Sequence, residues 1–185
     1  MVALNPPVCD FGQPAHDFDL SGVDGKRHTL ASCRGPKGLL VMFICNHCPY
    51  VKAIIDRLIR DCRELADHGI GCVAIMSNDV AAYPDDAPDK MRQWSDELGF
   101  PFPYLYDESQ AVARAFGAVC TPDFFGYNAG LTLQYRGRLD ASGRNPAPAD
   151  APRELFLAMA EIARSGQGPV EQTASIGCSI KWRSQ

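Results

Sequence analysis

The chain has 185 residues, 46% of them apolar, with a formal net charge of −4 and a pI near 5.5. That length holds one domain with a real core, and the composition excludes a disordered or low-complexity chain. No Lys/Arg run is long enough to follow a phosphate backbone, and the longest apolar run, Leu39 to Cys45, falls far short of a bilayer span. Neither nucleic acid nor membrane is therefore expected as a partner. The opening Met1-Val2-Ala3-Leu4-Asn5-Pro6-Pro7 has no basic n-region and no apolar h-region, which predicts a cytoplasmic location. Eight cysteines in such a compartment are expected to be mostly thiols, with any disulfide catalytic rather than structural.

In chain order, residues 15 to 30 alternate around Asp24-Gly25 and predict a β-hairpin. Residues 31 to 38 hold Gly35, Pro36 and Gly38 and predict a loop. Leu39 to Ile44 is continuously apolar, the pattern of a strand buried on both faces. Val51, Ile54, Ile55, Leu58, Ile59, Cys62 and Leu65 recur every three or four residues and predict a helix, with Gly69 as its stop. Cys72 to Met76 predicts a second buried strand, so the order is β-α-β.

Tyr83 to Pro88 predicts a loop. Met91, Trp94 and Leu98 mark the buried face of the next helix, and Phe102 to Tyr106 predicts a short strand. Asp107 is expected to cap a helix running to about Phe116. Residues 124 to 127 and 131 to 139 flank Asn128-Ala129-Gly130, a hairpin signal. Residues 140 to 152 predict a loop and Arg153 to Arg164 a helix. The expected architecture is α/β, a central mixed sheet with helices on both faces. Residues 1–14 read as an N-terminal extension, 15–164 as the domain and 165–185 as a C-terminal tail. In that tail Ile176, Cys178, Ile180 and Trp182 alternate, which predicts an extended segment docked on the domain.

Cys45-Asn46-His47-Cys48 falls where a buried strand gives way to a helix. The first helical turn has unpaired N–H groups and a partial positive charge, so a thiolate there is favoured. The three-residue spacing lets one sulfur reach the other. His47, between them, can stabilise the thiolate, and Pro49 suits the first turn. A CxxC in this setting points to a redox pair, against a buried structural pair or half of a metal site. No cofactor and no metal are implied: only Cys45 and Cys48 form a CxxC, and His16, His28 and His68 have no metal spacing.

Residues 15 to 20, Asp24-Gly25-Lys26, the Gly35 to Phe43 run and Cys45-Asn46-His47-Cys48-Pro49 resemble the thioredoxin-like superfamily. Within it the chain is similar to the peroxiredoxin-like branch related to the alkyl hydroperoxide reductase/thiol-specific antioxidant (AhpC/TSA) redoxins, over about residues 15 to 161. The resemblance implies a thioredoxin fold with a cis peptide at Thr121-Pro122 facing the CxxC, where exposed backbone could pair with an extended substrate. It places Cys120 near that site, in a redox, tuning or packing role.

The implied activity is thiol–disulfide exchange with protein or small-molecule disulfides and an unidentified thiol donor. Cys45, as the more exposed sulfur, attacks; Cys48 resolves. Alternatives are a thiol-dependent peroxidase with Cys48 peroxidatic, and a non-catalytic redox sensor or adaptor. Two departures stand out. Val41 and Cys45 occupy the places of the Pro and Thr or Ser that precede a peroxidatic cysteine, with no Arg near Thr121-Pro122 in sequence, so peroxide reduction should be slow. Leu39 occupies the place of thioredoxin's buried acid, which leaves the proton-moving group unassigned.

Elsewhere, Cys62 and Cys72 read as core thiols and Cys9 and Cys33 as loop residues. Asp79, Asp85, Asp86 and Asp89 read as a solvated acidic loop. Cys178 is a candidate third redox thiol, its reach to the CxxC allowed by the length of the tail.

Overall fold

The computed structural model describes residues 2–183. Its elements are β1 (Ala3–Leu4), β2 (Asp19–Gly22), β3 (Arg27–Thr29), α1 (Leu30–Cys33), β4 (Gly38–Phe43), α2 (Pro49–Asp67), β5 (Ile70–Met76), α3 (Pro88–Leu98), β6 (Tyr104–Tyr106), α4 (Ala111–Phe116), β7 (Cys120–Thr121), β8 (Asp123–Asn128), β9 (Leu133–Tyr135), α5 (Glu154–Ser165) and β10 (Gly177–Ser179). A single 3-10 turn, Pro84–Asp86, precedes α3. Among the described residues no helix is long and apolar enough to cross a membrane.

β4 is buried along its whole length, as its unbroken apolar run predicts. Successive side chains point to opposite faces of a strand. Leu40 and Met42 therefore join Val51, Leu58, Leu155 and Met159 on the α2/α5 side, while Leu39, Val41 and Phe43 join Ile75, Phe116 and Phe125 on the other. Two strand groups, β3-β2-β6-β5 and β4-β8-β9, meet edge to edge where the Ile44 N–H donates to the Ile75 carbonyl at 3.1 Å. β5 and β6 pair in parallel; β2–β3, β4–β8 and β8–β9 pair antiparallel. This is the mixed sheet flanked by helices that the sequence predicts.

The helix after β4 buries all seven residues of its predicted face, Val51 to Leu65. At about 1.5–3 kcal/mol per buried large aliphatic side chain, this seam is a main anchor of the helix that carries the motif. The helix begins at Pro49, so Cys48 is its N-cap and Cys45 lies a full turn's worth of chain earlier.

Three local readings change. Asp107 does not cap α4, which starts at Ala111 behind Gln110 in the left-handed region (φ 62°). Asp107 instead accepts the Ala113 N–H at 2.9 Å and the Ser77 hydroxyl at 3.0 Å from outside the cap position. The second strand of the late hairpin is only Leu133–Tyr135. Leu30–Cys33 is a helical turn rather than loop, closed by reciprocal Thr29 and Ser32 side-chain bonds to backbone.

The tail docks as a strand. β10 lies between β1 and β7, both antiparallel, with Cys178 opposite Ala3 on one side and Thr121 on the other. Cys178 and Ile180 face inward, while Ile176 and Trp182 remain partly exposed; Trp182 lies under the Arg114 guanidinium at 4.3 Å. Gly177 packs on the Thr121-Pro122 peptide so closely that a Cβ would collide with the Thr121 carbonyl. Gly177→Ala should therefore cost about 1–3 kcal/mol in urea unfolding and speed hydrogen exchange at the Ile180 amide, which donates to Val119. Unchanged protection at Ile180 would show that the close approach does not hold the strand.

Candidate active site

Cys45 and Cys48 stand at the end of β4, between the sheet and the start of α2, and both are free thiols. The sequence reading has Cys45 as the more exposed sulfur; the structure buries both, at 1% and 0% exposure. It also moves the helix end. As N-cap, Cys48 lies at the first turn, whose unpaired amides make the local potential positive, though its side chain makes no capping hydrogen bond. Hydrogen bonding from the Cys45 thiol, followed by Thr121 and the nearby Cys178 and Val51 amides, pulls Cys48 down to about 5 against the opposing effect of burial. The Thr121 carbonyl, 3.0 Å from the Cys48 sulfur, favours the protonated form and is outweighed by these donors. Cys45 moves the other way: its bond to Cys48, its burial and the Asp86 carboxylate all push its thiol well up. The pair thus holds one charge, on Cys48, and one proton, on Cys45.

Asp86 is the residue the sequence reading misassigns. It is not part of a solvated acidic surface: its exposure is 0%. Oδ1 accepts the amides of Asn46 (2.9 Å) and His47 (3.2 Å); Oδ2 accepts His47 Nδ1–H (2.6 Å) and Asn78 Nδ2–H (2.8 Å). A carboxylate offers about four acceptor sites, and all are used. Burial opposes the charge, but the bonds from His47 and Asn78 outweigh it and hold Asp86 below the usual carboxylate range. The available signal was the Pro84 to Pro88 bracket, which sets the acid at a helix entry with little backbone freedom.

His47 Nδ1 lies 2.6 Å from Asp86 and 3.8 Å from the Cys45 sulfur, so its N–H is shared between them. Nε2 is buried without a partner, and the ring stacks on Tyr83 at 5.2 Å. Asn46 is fixed by the Tyr104 hydroxyl (3.0 Å) and the Asp85 carbonyl (3.0 Å). Cys45, His47 and Asp86 present potential ligand atoms within 4.8 Å of one another. Asp86, however, has no acceptor site left for a metal, and Nδ1 is already bonded to it.

The Thr121-Pro122 peptide is cis, as the resemblance implies, and faces the motif. The Thr121 hydroxyl meets the Cys45 sulfur at 3.4 Å. Cys120 turns away, its thiol directed at the Pro122 carbonyl (3.5 Å), and burial pushes its pKa far up, which suits packing. Cys178 does come to the pair: it is buried in one cluster with Cys45 and Cys48, opposite Thr121, and the neighbouring Cys48 helps push its thiol up. Leu39 is fully buried among apolar groups, so its position supplies no acid. Arg136 reaches the strand after Pro122, but its guanidinium is committed to Asp123 (3.1 Å) and the Gly117 carbonyl (2.8 Å). Burial and the Asp61 charge, together with a bond to Cys72, hold Cys62 protonated in the core.

Known structures share this architecture. An uncharacterized conserved protein from Geobacillus kaustophilus is 41% identical, with a TM-score of 0.93 over 100% of this chain and 98% of that one. A hypothetical protein from Sinorhizobium meliloti 1021 is 36% identical, with a TM-score of 0.89 over 98% of each chain. A thiol:disulfide interchange protein of the thioredoxin family from Chlorobium tepidum TLS, 22% identical with a TM-score of 0.57 over 68% of this chain and 84% of that one, shares the fold. No curated protein matches the chain. Residues 11–141 match the AhpC/TSA family, a span that includes both cysteines of the motif, its Asp86 anchor and the cis Thr121-Pro122 peptide; the chain belongs to the AhpC/TSA family.

Proposed function

We propose that this redoxin is a thiol–disulfide oxidoreductase that cycles Cys45 and Cys48 between dithiol and disulfide. The observation that carries this reading is the placement of the pair: two free thiols three residues apart at the start of α2, both held against Thr121 of the cis Thr121-Pro122 peptide. The Cys48 thiolate attacks a substrate disulfide, forming a mixed disulfide and releasing one substrate thiolate, which takes the Cys45 proton. Cys45 then attacks the Cys48 sulfur; the Cys45–Cys48 bond forms and the second substrate thiolate leaves. His47 Nδ1–H supports the charge on Cys45 in that second step, and Nε2 is the open site for a proton. Asp86, already saturated, positions His47 and the Asn46-His47 backbone rather than accepting a proton.

The edge of β7 that an extended peptide would use is taken by β10. This favours a small-molecule disulfide over a protein one, with a thiol as electron donor. A hollow of about 250 Å³ bordered by Asn46, His47, Lys52 and Trp94 offers an approach from the His47 side. A reducing, cytoplasmic setting suits a chain with this many free thiols.

The first test is selective alkylation. Limiting iodoacetamide should label Cys48 before Cys45, with a rate that rises through about pH 5. Because an unfolded thiol titrates near about 8.5, the thiolate's stabilisation of the reduced fold is complete above that pH and is lost as pH falls through about 5. First labelling at Cys45 would restore the order expected from sequence.

Asp86→Asn should slow reduction of a small aromatic disulfide by about 10²-fold. It should also lower the pH at which Cys45 becomes reactive, because the carboxylate that keeps it protonated is gone. A loss of turnover with an unmoved pH profile would reduce Asp86 to a scaffold.

Peroxide reduction at Cys48 is a second reading, favoured by its place at the helix N-cap. Cys45 and Val41 replace the residues that orient peroxide, and Arg136 is bound elsewhere. Stopped-flow oxidation by hydrogen peroxide should accordingly be slower than exchange with the small disulfide; the reverse ranking would promote the peroxidase.

A further inference from the structure

Cys48 has two thiols beside it, not one. Cys45 of the motif and Cys178 of the C-terminal strand are buried with it in one cluster, and Cys48 perturbs the titration of both. Cys178 arrives there by backbone pairing: β10 runs antiparallel to β7, with Cys178 opposite Thr121, the residue before the cis peptide. The Thr121 carbonyl lies 3.0 Å from the Cys48 sulfur, and the residue paired with Thr121, Cys178, packs into the same buried cluster as that sulfur. Gly177 permits the approach, since any side chain there would strike the Thr121 carbonyl. The strand is anchored on both sides: Ser179 N–H donates to Val2, Ile180 N–H to Val119, the Ser175 hydroxyl to the Pro122 carbonyl, and Lys181 N–H to the Asn78 side chain.

A strand that pairs beside a cis-proline and offers a cysteine to the motif has the form of a disulfide substrate caught in the groove. We propose that β10 is an internal substrate and that Cys178 is a third redox thiol, exchanging with the Cys45–Cys48 disulfide. The proposal rests on the dithiol–disulfide reading above. In the exchange, Cys178 attacks the Cys48 sulfur, and its proton ends on the departing Cys45 sulfur, whose thiol is pushed well up. The Cys48–Cys178 bond forms as the Cys45–Cys48 bond breaks, and Cys45 departs with its developing charge supported by His47 Nδ1–H before it takes the Cys178 proton. One disulfide is consumed and one made, with no net electron transfer.

Burial and the bond and charge of Cys48 push Cys178 up to about 11 in the dithiol state. Oxidation of Cys48 removes that charge, so Cys178 becomes easier to deprotonate when its electrophile exists. The product pins the C-terminal strand covalently over the groove and frees Cys45; reduction releases both. Access to the site and its redox state would then be one equilibrium.

The full-length protein, oxidised by diamide, quenched in acid and blocked with N-ethylmaleimide, decides this by peptide mapping. Cleavage after Lys37, Lys52, Arg164 and Lys181 leaves Cys45 and Cys48 together on residues 38–52 and Cys178 alone on 165–181. The expected product includes a cross-link between these two peptides through Cys48, with Cys45 carrying maleimide. Cys45→Ser, which removes the competing partner, should increase that cross-link, and Cys178→Ser should abolish it while leaving the Cys45–Cys48 disulfide intact. An internal disulfide within 38–52 of the wild type, with no cross-link to 165–181 in either the wild type or Cys45→Ser, overturns the proposal and leaves the parent reading standing. Failure of both disulfides to form overturns the parent reading as well.

Discussion

The Asp86 carboxylate is the constraint on which the site depends. A buried charge without partners is prohibitively costly, so the fold must supply donors. It draws them from two places at once. The Asn46 and His47 amides come from the connection between β4 and α2; the Asn78 side chain comes from just beyond β5. The carboxylate thereby fixes the turn of the CxxC, aims His47 Nδ1 between itself and Cys45, and sets a negative charge near Cys45. The same Asn78 accepts the Lys181 N–H through its oxygen, so the anchor of the motif and the anchor of the tail share one side chain.

This arrangement answers the problem posed by Leu39. With no acid at position 39, proton control moves to the motif's flank, where His47, bonded to the buried Asp86, meets Cys45. The consequence is a division of labour between the sulfurs. Cys48 has donors around it and carries charge; Cys45 has an anion beside it and keeps a proton. Each preference comes from local electrostatics rather than from position in the CxxC.

The C-terminal strand alters what the groove can take. A cis-proline strand with a free edge would be open to extended peptides, but β10 fills that edge and is itself covered by β1. The first and last described strands of the chain therefore close the site together. Edge pairing of this kind also removes exposed backbone donors and acceptors that would otherwise invite association.

The β-α-β frame was legible along the chain, because the unbroken run of β4 and the three-and-four spacing of α2 admit few other local structures. So was the CxxC at a strand-to-helix junction, and the alternation in the tail signalled an extended, docked segment. Those features are written in short-range periodicity. The tertiary structure decided which sulfur carries the charge, because the helix starts at Pro49 and the polar groups around Cys48 come from Val51, Thr121 and Cys178, far apart in sequence. It decided that Asp86 is buried rather than solvated, since an acid in a loop looks alike in sequence whether its donors are water or amides brought from 40 residues away. It also decided that Cys178 meets Cys48 while Cys120, beside the cis peptide, does not point to the pair: strand register sets which face a side chain takes, and register is fixed only when the strands meet.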